Sequence, residues 1–124
     1  MIIAIDFDGT ICETIGWPDI GQPVPYAVET IKELYAQGHV LVLWTLREDQ
    51  HLDSALECLE RLGIRECFRY VNENIPEAIQ KYDSDPRKIG ADIFIDDRSL
   101  GWSGWIPVRE YFGFADVCSN PDQD

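Results

Sequence analysis

The sequence predicts an α/β fold: a parallel sheet covered by helices on both faces, three layers in all. Three observations carry this. Short continuous apolar runs recur along the chain, as strands buried on both faces require. They alternate with segments whose apolar residues repeat at the helical period. Several runs also end in acids or hydroxyls, and parallel sheets bind ligands beyond the carboxyl ends of their strands.

The elements follow in order. Residues 2–7 are predicted as the first strand, opened by Ile2-Ile3-Ala4-Ile5. Residues 11–23, with Gly16, Pro18, Gly21 and Pro23, read as a short irregular flap. A helix is predicted over 25–37. Pro25 suits its first turn, Ala27, Val28, Ile31, Leu34 and Tyr35 form its apolar stripe, and Gly38 suits its stop. His39 to Thr45 is a second strand, and its Trp44 is expected in the core. Residues 50–62 form a second helix through Leu52, Ala55, Leu56, Leu59 and Leu62, ended by Gly63. A short strand at 67–72 and a helix at 76–82, opened by Pro76, come next. Asp83 to Arg87 is a polar loop. Ala91 to Asp96 is a last strand. A loop over 98–106 carries Gly101, Trp102, Gly104 and Trp105. A short helix near 107–112 and an acidic, frayed tail complete the chain. Such β-α-β-α alternation implies right-handed crossovers and a Rossmann-like parallel sheet.

At 124 residues the chain is expected to form one domain over 1–124. Its net charge of −13 disfavours partners that need basic surface, namely nucleic-acid backbones and anionic membranes. It does not exclude anionic substrates, because a bound cation can reverse the potential inside one cleft. No apolar run approaches the length of a membrane span. No basic segment precedes the first apolar stretch, so no signal peptide is visible and a cytoplasmic location is expected. Cys12, Cys58, Cys67 and Cys118 lack Cys-x-x-Cys spacing. They are expected as free thiols, which gives a zinc site or a redox domain no support. His39 and His51 have no motif partner and are expected at the surface.

The chemistry concentrates at strand ends. In Asp6-Phe7-Asp8-Gly9-Thr10, two carboxylates two residues apart point to one side of an extended chain. They repel unless a cation lies between them or one keeps its proton. The plainer alternatives are an acidic strand-to-turn junction, or a metal site in a binding protein. Ile95-Asp96-Asp97-Arg98 again ends a strand in paired carboxylates.

Asp6-Phe7-Asp8-Gly9-Thr10 resembles the Asp-x-Asp-Gly-Thr signature of the haloacid dehalogenase (HAD) superfamily, most of whose members are phosphatases. Three further stretches resemble that superfamily's other motifs in order: Leu43-Trp44-Thr45-Leu46-Arg47, Lys88 before Gly90-Ala91-Asp92, and Ile93-Phe94-Ile95-Asp96-Asp97-Arg98. The resemblance covers residues 2–98 and implies a HAD-like core. Neither 11–23 nor 46–87 leaves room for a cap domain. The chain is most similar to small cap-less bacterial phosphatase-like members.

The resemblance implies Asp6 as the nucleophile, forming an aspartyl-phosphate, and Asp8 as general acid and then base. Thr45, with the backbone N–H groups of Leu46 and Arg47, would hold phosphate, and Lys88 would stabilise the transferring group. Asp6, the Asp8 carbonyl and the Asp96-Asp97 pair would bind Mg2+, with Asp97 favoured as the direct ligand. Lys81 and Arg87 are rivals for the cation role. Arg47 is equally suited to a phosphate contact or to a surface ion pair with Glu48 or Asp49. Arg98 is read as a structural partner of the acids. Trp17, Trp102 and Trp105 flank the cleft, where they would stack on a substrate ring or pack their own loops.

The expected activity is a Mg2+-dependent phosphomonoesterase acting on a small phosphorylated substrate or a phosphorylated macromolecule. The alternatives are a phosphotransferase with the same intermediate and a silent binding or regulatory module. A homo-oligomer is one way to complete the site without a cap.

Overall fold

Parallel pairing around the first strand organises the chain. The structure is a computed structural model that describes residues 1–115. β1 (Ile2–Ile5) lies between β4 (Val40–Leu43) and β6 (Ile93–Ile95), and β5 (Phe68–Val71) pairs with β4 at the edge. All three pairings are parallel, in the order β5-β4-β1-β6. The chain therefore steps outward on one side of β1 and returns to the other. That reversal opens a crevice above the carboxyl end of β1.

Side-chain alternation divides the core in two. Ile3 and Ile5 of β1 face the same side as Leu41, Leu43 and Ile95, and pack against helices α1 (Ala27–Ala36) and α2 (Asp49–Arg61). Ile31 and Leu34 of α1 and Ala55 and Leu59 of α2 are the buried contacts. Ala4 and Val42 face the other side and meet Ile89, with Ile2, Trp44, Tyr70 and Ala91 half-buried around them. This second layer is thinner. Helix α3 (Pro76–Tyr82) joins it through Gly90, where a Cβ would lie 2.8 Å from that of Ala78. The result is a three-layer α/β core without a cap, as expected.

The structure corrects several element readings. Residues 11–23 are not irregular: β2 (Cys12–Thr14) and β3 (Ile20–Pro23) form an antiparallel hairpin. Most of its side chains are solvent-facing, so no apolar period marks it. Helix α1 starts at Ala27, because Tyr26 has left-handed backbone (φ 69°) and Pro25 lies outside the helix. Tyr35 is 49% exposed and leaves the stripe. Trp44 falls just past β4 and is half-buried: it packs on the Ala4–Val42–Ile89 layer and also lines the crevice. A 3₁₀ turn, Arg65–Cys67, precedes β5. The last helix, α4, spans Ile106–Phe112. Cys12, Cys58 and Cys67 are free and buried, whereas Cys118 and the acidic tail lie outside the described residues. Among the described residues, no helix is long and apolar enough to cross a membrane.

Two buried polar side chains tie the C-terminal segment to the core. Arg109 of α4 donates to Thr30 Oγ1 and the Ala115 carbonyl and pairs with Glu33 of α1. Trp105 is fully buried, and its indole N–H donates to the Thr10 carbonyl at 2.7 Å. Trp102 packs edge-on against it. These two tryptophans thus brace the Asp8–Thr10 turn from below. Trp105→Phe deletes the donor and strands a buried acceptor. The expected cost is about 1–3 kcal/mol, read as a lower urea midpoint with an unchanged slope. An unchanged midpoint would show that the indole bond contributes nothing.

Candidate active site

β1 delivers Asp6 to the crevice. Pairing continues one residue beyond the strand, since the Asp6 N–H donates to the Ile95 carbonyl at 3.0 Å. The chain then turns sharply, and the N–H groups of Thr10, Ile11 and Cys12 all converge on the Phe7 carbonyl. Gly9 takes φ +82°, and a Cβ there would lie 2.3 Å from Asp97 Oδ2. Only glycine lets the second acid pair close against this turn. Thr10 fastens the junction: its hydroxyl accepts the Asp97 N–H at 2.8 Å and donates to Asp97 Oδ1 at 3.0 Å.

Asp6, Asp96 and Asp97 thereby converge. Each offers one oxygen, and these oxygens lie within 4.8 Å of one another at half-buried positions. The Asp6 carboxyl is pushed up to about 7 by burial first, then by the negative charge of Asp96 and by its contact with Asp97. The Phe7 N–H opposes this only in part. Three facing carboxylates form a donor set for a hard cation, which takes oxygen ligands and relieves like-charge repulsion.

Asp8 is turned away from this cluster. Arg47 grips it from both sides of the fork, with Nε to Oδ2 and Nη2 to Oδ1, each 2.8 Å. Arg47 is fully buried. It also donates to the Pro18 carbonyl at 2.9 Å and the His51 carbonyl at 3.2 Å. Its guanidinium lies 4.7 Å from the centre of the Trp17 ring. The sequence reading offered Arg47 a phosphate or a surface partner in Glu48 or Asp49. Its partner is instead Asp8, brought close by parallel pairing of β1 with β4.

Thr45 lines the cavity, and its hydroxyl accepts the Arg47 N–H at 3.1 Å. The Arg47 amide is therefore committed inside the turn and is not a free phosphate donor, which corrects that expectation. The hydroxyl keeps its own proton to donate. Asn72 stiffens the turn by accepting the Thr45 N–H and donating to the Arg47 carbonyl. Leu46 is exposed at the cavity rim.

The cavity measures about 820 Å³ and is bounded by Asp6, Asp8, Thr45 and the Asp96-Asp97 pair, with Trp17 and Trp44 as aromatic walls. Arg98 also lines it and forms no ion pair among the described residues. That corrects its reading as a structural partner of the acids, although its backbone N–H does bond Asp96 Oδ1 at 2.8 Å.

Lys88 does not line the cavity. It is exposed, with its ammonium 5.9 Å from the centre of the Phe94 ring. Lys81 sits over Tyr82 of its own helix, and Arg87 lines a separate cavity with Asn72, Asn74 and Asp85.

Of the three cleft tryptophans, only Trp17 lines the cavity. Thr10 was legible, being the last residue of the signature, but was given no task. Asn72 carried no sequence signal, because it acts through backbone groups of a strand far away in sequence.

No family model matches the chain, and no curated protein matches it. Among solved structures, a conserved protein coded by a locus of Bacteroides thetaiotaomicron aligns at TM-score 0.79 and 41% identity, covering 91% of this chain and 89% of that chain. The chain belongs to the same family as that conserved protein.

The raised Asp6 carboxyl sets a pH dependence. Between the unfolded value of 3.8 and about 7, the folded protein holds a proton that the unfolded chain releases. The metal-free protein therefore loses stability as pH rises through this window and levels off above it. A cation must displace that proton. Apparent Mg2+ affinity, followed by thermal shift, is expected to weaken by up to about tenfold per pH unit below 7. Equal affinity at pH 5.5 and pH 8 would exclude Asp6 from the cation site.

Proposed function

We propose that this protein is a cap-less, Mg2+-dependent phosphomonoesterase of the HAD type, working through an aspartyl-phosphate on Asp6. The observation that carries the reading is the meeting of Asp6, Asp96 and Asp97 opposite the Thr45 hydroxyl, at the reversal point of a parallel sheet. The order of the four motif-like stretches supports it.

Asp6, Asp96 and Asp97 would hold the Mg2+, with the Asp8 carbonyl as the further ligand that the resemblance supplies. The ion would neutralise phosphate charge and ease its approach to the carboxylates. Thr45 donates to a phosphate oxygen. Asp6 attacks phosphorus through one carboxylate oxygen, and the alcohol leaves with a proton from Asp8. Asp8 then takes a proton from water, which attacks phosphorus. The P–O bond to Asp6 breaks, releasing inorganic phosphate and restoring the carboxylate. The observed pairing of Asp8 suits its base duty: the four lone-pair sites of a carboxylate lose two to Arg47 and keep two for protons.

That same grip favours a second reading, a phosphate-binding module that seldom turns over. The two readings separate cleanly. With Mg2+, an aryl phosphate is expected to be hydrolysed, with loss of activity in excess chelator and in Asp6→Asn. Beryllium fluoride, which mimics an acyl-phosphate, is expected to raise the melting temperature only where Asp6 is intact. Stabilisation without hydrolysis would select the binding module. Absence of both would reject the site.

Lys88 is proposed as the cation beside the transferring group, on the resemblance of its stretch to the third motif. Lys88→Ala should lower turnover by about a hundredfold, with native circular dichroism. Lys81→Ala and Arg87→Ala should stay near wild type. Full activity in Lys88→Ala would pass the role to Arg98, the cation that lines the cavity.

A further inference from the structure

Two of the buried cysteines meet. Cys12 Sγ, on β2, lies 3.7 Å from Cys58 Sγ, on α2, across 46 residues of sequence. Buried cysteines usually pack as small apolar groups. Cys67, also buried, has no sulfur neighbour of this kind among the described residues.

We propose that Cys12 and Cys58 form an oxidation site, in which a peroxide converts the thiol pair into a disulfide that loosens the Asp8–Thr10 turn. One sulfur attacks the peroxide oxygen, the O–O bond breaks, and the departing hydroxide takes up a proton as water. The sulfenic acid formed is then attacked by the second sulfur. The S–S bond forms, and hydroxide leaves as a second water with the remaining thiol proton. The two thiols supply the two electrons that reduce one peroxide. Cys58 is the better first nucleophile: its bond with Cys12 and the nearby Arg61 and Arg47 cations bring its thiol down to about 7.

The link to the turn is direct. The Cys12 carbonyl accepts the Gly9 N–H at 2.7 Å, and the Cys12 N–H donates to the Phe7 carbonyl. Closing the two sulfurs from 3.7 Å to bonding distance shifts at least one of the two cysteine side chains, and Cys12 sits inside the turn's bonding pattern. The residue whose carbonyl holds Gly9 is on one end of that bond.

The four cysteines fall on four different tryptic peptides, separated by Lys32, Arg47, Arg61, Arg65, Arg69 and Arg109. The full chain would be treated with stoichiometric hydrogen peroxide, blocked with a maleimide and digested. The expected product is a Cys12–Cys58 cross-linked peptide, absent in Cys58→Ser and still formed in a Cys67→Ala/Cys118→Ala chain. Amide exchange in the peptide spanning Asp6 to Thr14 should quicken several-fold on oxidation and recover with dithiothreitol. Sulfinic acid at Cys58 without a cross-link, or cross-links running to Cys67 or Cys118, would overturn the proposal. A cross-link with unchanged exchange in that peptide would overturn the coupling to the turn. Neither readout depends on phosphatase activity.

Discussion

One buried guanidinium holds the crevice together. Burying a cation costs several kcal/mol unless its donors are satisfied. Arg47 meets that condition with four N–H bonds, two to Asp8 and one each to the carbonyls of Pro18 and His51. Each acceptor belongs to a different piece of chain: the turn after β1, the β2–β3 hairpin and the start of α2. A lysine could not replace it, because a point charge lacks the planar fork that engages both Asp8 oxygens at once. Trp17 and Phe7 flank the guanidinium plane and keep water from competing. The β2–β3 hairpin is therefore fastened at its tip by the same side chain that orients Asp8.

This clamp stands next to an unfavourable cluster. Asp6, Asp96 and Asp97 are held in convergence, and burial first, then the charge of Asp96, raises the Asp6 carboxyl. The surroundings impose it. Gly9 removes the Cβ that would hold Asp97 away, the Thr10 hydroxyl pins Asp97, and Trp105 secures Thr10 from the core. Holding like charges this close costs stability. The division is sharp. Asp8, two residues from Asp6, is excluded from the cluster because Arg47 compensates it.

How much of this was legible follows from what each feature depends on. The strands were readable because burial on both faces leaves continuous apolar runs, and the strand ends placed Asp6, Thr45, Asp96 and Asp97 together. The hairpin was not, because its partly exposed strands of three and four residues are too short to show a period. Nor was the start of α1, which turns on the left-handed backbone of Tyr26. Arg47 was visible as a residue but not as a partner of Asp8. That pairing spans 39 positions and arises only once β1 and β4 lie in register. Trp105 changed role for a similar reason: a loop that folds under the acid turn draws it into the core, while Trp44, one residue past the end of β4, packs on the core and also reaches the cavity. Sequence period reports whether a face is covered, but not which loop covers it.

The described core carries no cap, so the crevice is bounded by what the core itself presents. The cavity of about 820 Å³ is open. Its walls are Trp17 and Trp44, with Leu46 at the rim, above a floor of acids. Trp17 is the informative wall. Held against Arg47 and edge-on to His51, it still leaves more than half of its surface to solvent. Its position is fixed before any ligand arrives, so stacking on it costs little ordering entropy. The Arg47 network thus connects the orientation of Asp8 to the position of Trp17 at the rim, and a change that loosens Trp17 must also disturb Asp8.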